Sequence, residues 1–503
     1  MVHHLLDPAT GVAPDDPAAS HGTIRPPTTP RAAYRCPVVP ARLRPVLDEV
    51  RPVAVRLAAS GHRAYLVGGS VRDLLLDRDP AGMDLDLTTD ARPDDIERAV
   101  RGWADAVWTQ GKRFGTIGCR KDGRDIEITT HRAEAYSPDS RKPDVTFADA
   151  IETDLSRRDF TVNAMALLVP AGDDADEAPT LIDPFDGAVH LATKQLRTPR
   201  SPEESFTDDP LRMLRAARFL SGYGLVPDEA LVAAVRALHD RLEIVSAERI
   251  RMELDKLVVV DKPGPGLWFL VDTGLAEEFL PELPGLALEQ DPIHQHKDVL
   301  AHTIAVVENT RPERIVRLAA LFHDIGKPKT RSFGAKGKVM FHHHEVVGAR
   351  MTRDRMQRLR YSTDDIDKVS RLVELHLRFH TYKLGWTDAA VRRYVRDAGD
   401  LLSELNELTR CDCTTRNKRR ADELSKRMDA LEARIEELEA EEQVRAVRPD
   451  LDGAAVMAHL GIAPGPEVGR ALAFLLELRL DEGPLGPEEA TARLDAWWAD
   501  RRP

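Results

Sequence analysis

The stretch Gly68-Gly69-Ser70-Val71-Arg72-Asp73, followed by Met83-Asp84-Leu85-Asp86-Leu87, constrains this chain more than any other. The preceding Ala64-Tyr65-Leu66-Val67 is a short apolar run that stops at the glycine pair, which predicts a strand turning into a helix. Glycine there lets the backbone approach a phosphate closely, and the helix that follows aims N–H groups at an anion. Asp84 and Asp86 alternate with Leu85 and Leu87, so a second strand should carry both carboxylates on one face. Two such carboxylates repel unless a cation sits between them, and oxygen ligands suit Mg²⁺. Alone, each half is ordinary, a glycine turn or a polar strand edge. Together they are the hardware of phosphoryl or nucleotidyl transfer.

Three further segments bear on that chemistry. Gly115 to Arg132 reads as a hairpin turning at Lys121-Asp122-Gly123-Arg124. Its second strand carries Glu127, either a third acid facing the Asp pair or a partner that orients Arg132 or a lysine. Arg157-Arg158-Asp159-Phe160-Thr161-Val162-Asn163-Ala164 sets adjacent arginines beside an aspartate, which can bridge a triphosphate and a ribose hydroxyl or form a surface salt-bridge network. In Asp208-Asp209-Pro210-Leu211-Arg212, Asp209 and Pro210 suit the start of a helix. Asp209 and Arg212 are three apart and predicted to share a face, with Arg215 and Arg218 continuing the row. A carboxylate beside a guanidinium fork can meet the hydrogen-bonding edge of a base; the plainer reading is an internal salt-bridge ladder.

In this order the four motifs resemble the class II tRNA nucleotidyltransferase and bacterial poly(A) polymerase family, over roughly residues 60 to 260. The resemblance implies two Mg²⁺ ions on Asp84 and Asp86, phosphate contacts from Gly69 and Arg72, and Arg158 on the nucleotide. It implies that Asp209 and Arg212 read the base of CTP or ATP, while Arg215 and Arg218 face the nucleotide. The implied partner is tRNA, whose 3′ end would receive CMP and AMP as CCA; a poly(A) polymerase is the nearest alternative. Ala247 to Leu254 fits the helix that closes the neck. The chain departs from the family at Asp183-Pro184-Phe185-Asp186-Gly187-Ala188-Val189-His190, where a second glycine at 186 and an acid at 190 are usual.

His302, His323-Asp324, His344, His376 and Asp412 resemble the HD phosphohydrolase pattern. That chemistry gathers imidazoles and carboxylates around a divalent transition metal with a position open to water. His323-Asp324 closes the apolar stretch Ile315 to Phe322 and precedes Gly326-Lys327-Pro328, a helix stop. His342 and His343 adjoin His344, so the register is open by a residue or two. The site is either a phosphohydrolase centre, even the main activity, or a degenerate fold that braces the helical body.

At 503 residues the chain exceeds a single core. Its net charge of -13 means that any RNA site must be a local basic patch. The densest cluster is Arg416, Lys418, Arg419, Arg420, Lys426 and Arg427, and the turn at Gly461 to Gly465 opens a helix that could touch an RNA phosphate; a solvated face and an ordinary helix start are the plainer readings. Cys36, Cys119, Cys411 and Cys413 form no disulfide framework, and Cys411-Asp412-Cys413 lacks zinc-ribbon spacing. No membrane span or signal peptide is visible, so a cytoplasmic location is expected.

The expected fold class is α+β. A disordered tail (1–40) precedes a small mixed α/β nucleotidyltransferase head with a β-sheet (41–199). The head's first helix, Arg42 to Ser60, is amphipathic, with Pro52 placed to kink or split it. A long all-helical neck and body follows: a neck that templates the nucleotide and binds RNA (200–290), an HD-type helical domain (291–415) and a helical tRNA-binding C-terminal tail (416–503). Leu424, Met428, Leu431, Ile435 and Leu438 mark a short heptad seam that should pack on the body or form a helical hairpin.

Overall fold

The computed structural model describes residues 34–35, 43–79, 84–137, 140–172, 179–288, 298–334, 339–381, 386–413, 418–442 and 448–501. Nearly all of the expected tail, Cys36, Met83 and Arg416 lie outside these. The head is built on strands β1 (Tyr34–Arg35), β2 (Ala64–Val67), β3 (Leu85–Thr89), β4 (Ala106–Trp108), β5 (Thr116–Lys121), β6 (Arg124–Thr130), β7 (Arg132–Ser137), β8 (Ser140–Phe147), β9 (Ala166–Leu168) and β10 (Thr180–Ile182). Eight form one sheet in the order β1-β10-β9-β2-β3-β6-β5-β4; β7 and β8 make a separate ribbon. Only β3 and β6 run parallel in the large sheet. Tyr34–Arg35 therefore belong to the head's edge, not to the tail.

Every residue of β2 is buried, as suits a central strand. Helix Arg44–Ala58 buries Val46, Leu47, Val50, Val53 and Leu57 along one face and continues unbroken through Pro52. The β5–β6 turn has Asp122 and Gly123 both at positive φ, the conformation a two-residue hairpin loop requires.

Beyond Ala192 the regular elements of the described residues are helical apart from short strand pairs at Gln195–Leu196 with Val226–Pro227 and Arg331–Phe333 with Val339–Phe341. One continuous apolar core runs from the head through the neck into the histidine-rich helices. Arg317 helps lock this joint, donating to the carbonyls of Val258 at 2.7 Å and Thr310 at 2.9 Å. The heptad helix, Lys418–Glu442, buries Met428, Leu431, Ile435 and Leu438 into the same core, so it packs on the body. Helices Gly453–Leu460, Pro466–Glu482 and Gly486–Ala499 enclose a small core of their own. Residues 448–501 carry ten carboxylates against five arginines, so an RNA contact there would need a local basic patch.

Candidate active site

The glycine turn sets the head's site. After β2 the chain bends at Gly68 (φ 74°, ψ -134°), a conformation poorly tolerated by residues with a side chain, and helix Gly69–Leu75 begins. A Cβ on Gly68 would stand 2.9 Å from Arg158 Nη1, so glycine also admits that arginine. Ser70 Oγ donates to the Asp84 carbonyl at 2.7 Å and ties the helix to the entrance of β3. Asp84 is exposed just ahead of β3, and Asp86 is half-buried within it. The parallel register of β3 and β6 sets Glu127 directly beside Asp86. Arg132 turns elsewhere, donating to the Phe114 carbonyl at 2.6 Å. Burial raises the Asp86 carboxyl above the usual carboxylate range; Arg158 opposes this, and Glu127 and Asp84 add to it. A cluster of hard oxygen donors that repel one another fits a divalent cation.

The two arginines hang from a buried acid. Asp154 has no solvent exposure and accepts from Arg157 Nη2 at 2.6 Å and Arg158 Nη2 at 3.2 Å. Burial alone would raise its pKa, but the two guanidiniums outweigh it and hold the carboxyl at about 2. Asp159 accepts from Asn163 Nδ2 at 2.9 Å and from Arg215 Nε at 2.8 Å. Asn163 Oδ1 in turn accepts from Arg72 Nη1 at 2.6 Å. Arg72 is only 6% exposed, is paired with Asp73 at 2.8 Å and lies 4.2 Å over the Tyr223 ring. The partners of Arg72 in this structure are protein groups. Its guanidinium is drawn inward by Asp73 and Asn163 and fastens the glycine-turn helix to the neck.

Helix Pro202–Asp208 ends at Asp209, which is extended (φ -140°, ψ 97°), and helix Leu211–Tyr223 starts two residues later. Asp209 thus stands outside the arginine helix, and the three-residue spacing rule does not place it. Its carboxylate accepts from Leu211 N at 3.2 Å and pairs with Arg249 at 3.0 Å. Arg212, buried, donates to Ser205 Oγ at 2.8 Å and to the Arg157 carbonyl at 2.5 Å, which brings the base-reading candidates up to the arginine pair. Arg218 Nε donates to Glu253 Oε2 at 2.7 Å, and Arg215 bridges Asp159 and Glu253. The row makes salt bridges to Asp159 and to the helix carrying Arg249 and Glu253, while Arg212 bonds to neutral acceptors.

The loop that departs from the family closes by its own means. Asp186 adopts the left-handed conformation (φ 56°) where a glycine is usual. Asp183 accepts from Gly187 N at 2.7 Å and Ala188 N at 2.9 Å, and His190 Nδ1 lies 3.0 Å from Thr161 Oγ1.

The second cluster gathers six residues from five helices. His302 lies on Val299–Asn309, His323 and Asp324 follow Arg314–Phe322, His344 opens His344–Arg358, His376 follows Thr363–Leu375, and Asp412 ends Leu402–Asp412. The ligand-type atoms of His302, His323 and Asp412 lie within 4.8 Å of one another, as do those of Asp324, His344 and His376. His344 is the buried member of its run; His342 and His343 are exposed. A Cβ on Gly326 would stand 2.2 Å from the His344 carbonyl, so glycine is what lets these segments meet.

Three imidazoles are held by their outer nitrogens: His323 Nδ1 on the Ala320 carbonyl at 2.7 Å, His344 Nδ1 on Phe341 at 2.9 Å, and His376 Nδ1 on Val373 at 2.6 Å. Their Nε2 atoms are buried and face the cluster: that of His323 lies 3.1 Å from Asp324 Oδ2, that of His344 lies 3.4 Å from Asp324 Oδ1, and that of His376 has no hydrogen-bond partner among the described residues. Burial, reinforced by His323, pushes His376 down to about 3, keeping it a neutral donor. Carbonyl-oriented imidazoles with inward-facing nitrogens, beside two carboxylates, fit divalent transition metals.

Sequence profiles match three stretches of the chain. One described as "Poly A polymerase head domain" matches residues 64–197, one described as "HD domain" matches 299–435, and "Probable RNA and SrmB- binding site of polymerase A" matches 224–286. The chain is 35% identical to the A-adding tRNA nucleotidyltransferase of Deinococcus radiodurans over 362 residues, 69% of this chain and 79% of that one. This chain belongs to the class II tRNA nucleotidyltransferase family. It is also 37% identical to the CCA-adding enzyme of Geobacillus stearothermophilus over 294 residues, 58% of this chain and 66% of that one. Among such CCA-adding relatives, that of Levilactobacillus brevis is matched over 54% of its length. The CTP complex of the Bacillus stearothermophilus CCA-adding enzyme superposes with a TM-score of 0.63 at 23% identity, covering 91% of this chain and 98% of that one. The Thermotoga maritima CCA-adding enzyme complexed with tRNA_CCA gives 0.57 at 20%, covering 90% and 96%. At these identities the likeness is one of fold.

For this tRNA nucleotidyltransferase family member, sequence reasoning missed the residues that support the candidate site. Arg249 and Glu253 had entered only as parts of a neck helix. The available signal was a carboxylate, Glu253, on the same helical face as Ile250, Leu254 and Leu257. Of the basic cluster near 420, Arg416 and the side chains of Lys418 and Arg420 lie outside the described residues; Arg419 pairs with Glu423 and Arg427 lies over the Phe379 ring.

Proposed function

We propose that this chain adds CMP and AMP from CTP and ATP to the 3′ end of tRNA, building or repairing its CCA terminus. One convergence carries the reading: Glu127 stands beside Asp86 in register, Asp84 and Arg158 both act on the Asp86 carboxyl, Arg158 lies against the Gly68 turn, and Arg212 is bonded to the Arg157 carbonyl. Asp84 and Asp86 would hold Mg²⁺, which when bound helps ionise the RNA 3′-hydroxyl and offsets charge on the triphosphate. Glu127 adds a third carboxylate to that edge. Arg158 meets the phosphates and ribose, and the Gly69 backbone approaches a phosphate. Asp209 offers an acceptor and Arg212 a donor to the edge of cytosine or adenine, a choice made by protein side chains without a nucleic-acid template. Arg215 and Arg218 face the nucleotide and hold their helix through Asp159 and Glu253. The RNA 3′-oxygen bonds to the α-phosphorus, the bond to the β-bridging oxygen breaks, pyrophosphate leaves and the hydroxyl proton passes to water. Asp84→Ala tests this: nucleotide incorporation into tRNA at the unsubstituted rate would sink it.

The named relatives favour tRNA end addition over a poly(A) polymerase, and the Deinococcus relative keeps A-only addition as the nearest variant. Action on tRNA also supports a cytoplasmic location; among the described residues no helix is long and apolar enough to cross a membrane.

A second reading is favoured by the buried Nε2 atoms of His323, His344 and His376, which face one cluster beside the Asp324 carboxylate. In it the histidine cluster, with divalent transition metals, hydrolyses a phosphoester: a water oxygen bonds to phosphorus and the alcohol leaves with the water's proton. Ring opening of a 2′,3′-cyclic phosphate to its monoester, or phosphate release from a 2′-phosphate, should be lost in Asp324→Ala and kept in Asp84→Ala. The reverse pattern would refute it.

A further inference from the structure

Between Asp324 and Glu345 the chain has no carboxylate, yet it carries Lys327, Lys329, Arg331, Lys336 and Lys338. In a chain of net charge -13 this is a marked local reversal. The described part of the segment is built onto the histidine cluster. Lys327 Nζ lies 2.7 Å from Asp324 Oδ2 at the start of helix Lys327–Thr330. The antiparallel strands Arg331–Phe333 and Val339–Phe341 follow, with Arg331 opposite Phe341. Phe341 closes the connection: its carbonyl accepts from His344 Nδ1, and its ring lies 6.5 Å from that imidazole. The base of this hairpin therefore orients a cluster histidine.

The outer end carries a different signal. Phe333 is 66% exposed, and the Arg331 guanidinium lies 5.2 Å from its ring centroid. An aromatic left in water beside cations has no role in the core. A flat ring stacks on any nucleobase, and neighbouring cations pair with the phosphates that follow it. One exposed ring is too small for a stable protein interface. The missing carboxylates rule out a basic partner and match a polyanion.

We propose that this hairpin is a docking platform for the terminal nucleotides of a single-stranded nucleic acid whose phosphoester end reaches the histidine cluster. The base stacks on Phe333, and Arg331 and Lys329 receive the phosphates. The platform rests on the phosphoester reading of the cluster and names its substrate class.

The test uses the full chain and a short oligoribonucleotide ending in 4-thiouridine 2′,3′-cyclic phosphate. Irradiation without added metal, followed by mass spectrometry, should map crosslinks to the Arg331–Phe333 strand, and Phe333→Ser should remove them. With metal, Phe333→Ser should raise KM for hydrolysis of this oligonucleotide between about fivefold and about a hundredfold, the worth of one stacked base. The reference is bis(p-nitrophenyl) phosphate, a diester with no base to stack. Because Phe333 is exposed, the unfolding midpoint checks folding, and Arg331→Ser supplies a second, independent loss of crosslinking. Crosslinks confined to the head, equal KM shifts for both substrates, or equal competition by an acidic peptide would overturn the platform. Crosslinks on the hairpin with no hydrolysis of either substrate would support the platform and refute the cluster reading.

Discussion

Replacing Asp154 with Asn should loosen the nucleotide-facing arginines by an amount the structure lets us work out. Asp154 is wholly buried and bonded to both Arg157 and Arg158, and its pKa is held at about 2 against an ordinary 3.8. Nearly two units correspond to about 2 kcal/mol favouring the ionised form in the folded head. Removing one partner of a fully buried pair costs about 3–5 kcal/mol. Arg157 and Arg158 remain 15% and 20% exposed, so water takes up part of their charge and about 2 kcal/mol is the better figure. The folded pKa is depressed, so the stabilisation is complete above about pH 4 and fades as pH falls toward about pH 2. Native-state hydrogen exchange of β9 amides reads opening of the head alone, which suits a chain of several modules. Asp154→Asn should lower that opening free energy by about 2 kcal/mol at neutral pH, with the difference shrinking below about pH 4. A difference that is constant with pH, or smaller than about 0.5 kcal/mol, would refute the ion-pair account.

Two other substitutions test the supports and the cluster. Arg249→Gln frees the Asp209 carboxylate from a partly exposed partner, and steady-state kinetics should show KM for CTP and ATP rising by up to about fivefold with kcat nearly preserved. A kcat loss of more than about a hundredfold would instead put Arg249 in the chemistry itself. His376→Ala should weaken Mn²⁺ binding, read by equilibrium dialysis, by more than about tenfold. Wild-type affinity would remove His376 from the metal-binding set.

The parts of the site that the sequence made legible are those where local spacing and geometry coincide. The glycine turn and the Asp84-x-Asp86 pair depend only on strand periodicity and on φ > 0 at Gly68. The histidine cluster was legible because each ligand sits at a helix end or face whose apolar pattern is plain. The Asp209–Arg212 neighbour relation was misplaced because the chain is extended at Asp209, where helical spacing has no force. Its partner, Arg249, comes from a helix 40 residues on, and no local rule reports such a distance. For Arg72 the sequence leaves the partner open, because a guanidinium serves a phosphate or a carboxylate equally well. The packing of Asp73, Asn163 and Tyr223 around it is a long-range fact that no local spacing reports.

The central claim is that protein side chains choose CTP first and ATP last at a single carboxylate pair. It is tested most directly by incubating a tRNA that lacks its CCA end with CTP alone, ATP alone and both, and sequencing the product ends. The account predicts two added cytidines with CTP alone, a completed CCA with both, and no addition by Asp84→Ala under any condition. Long adenosine tails formed from ATP without CTP would contradict it.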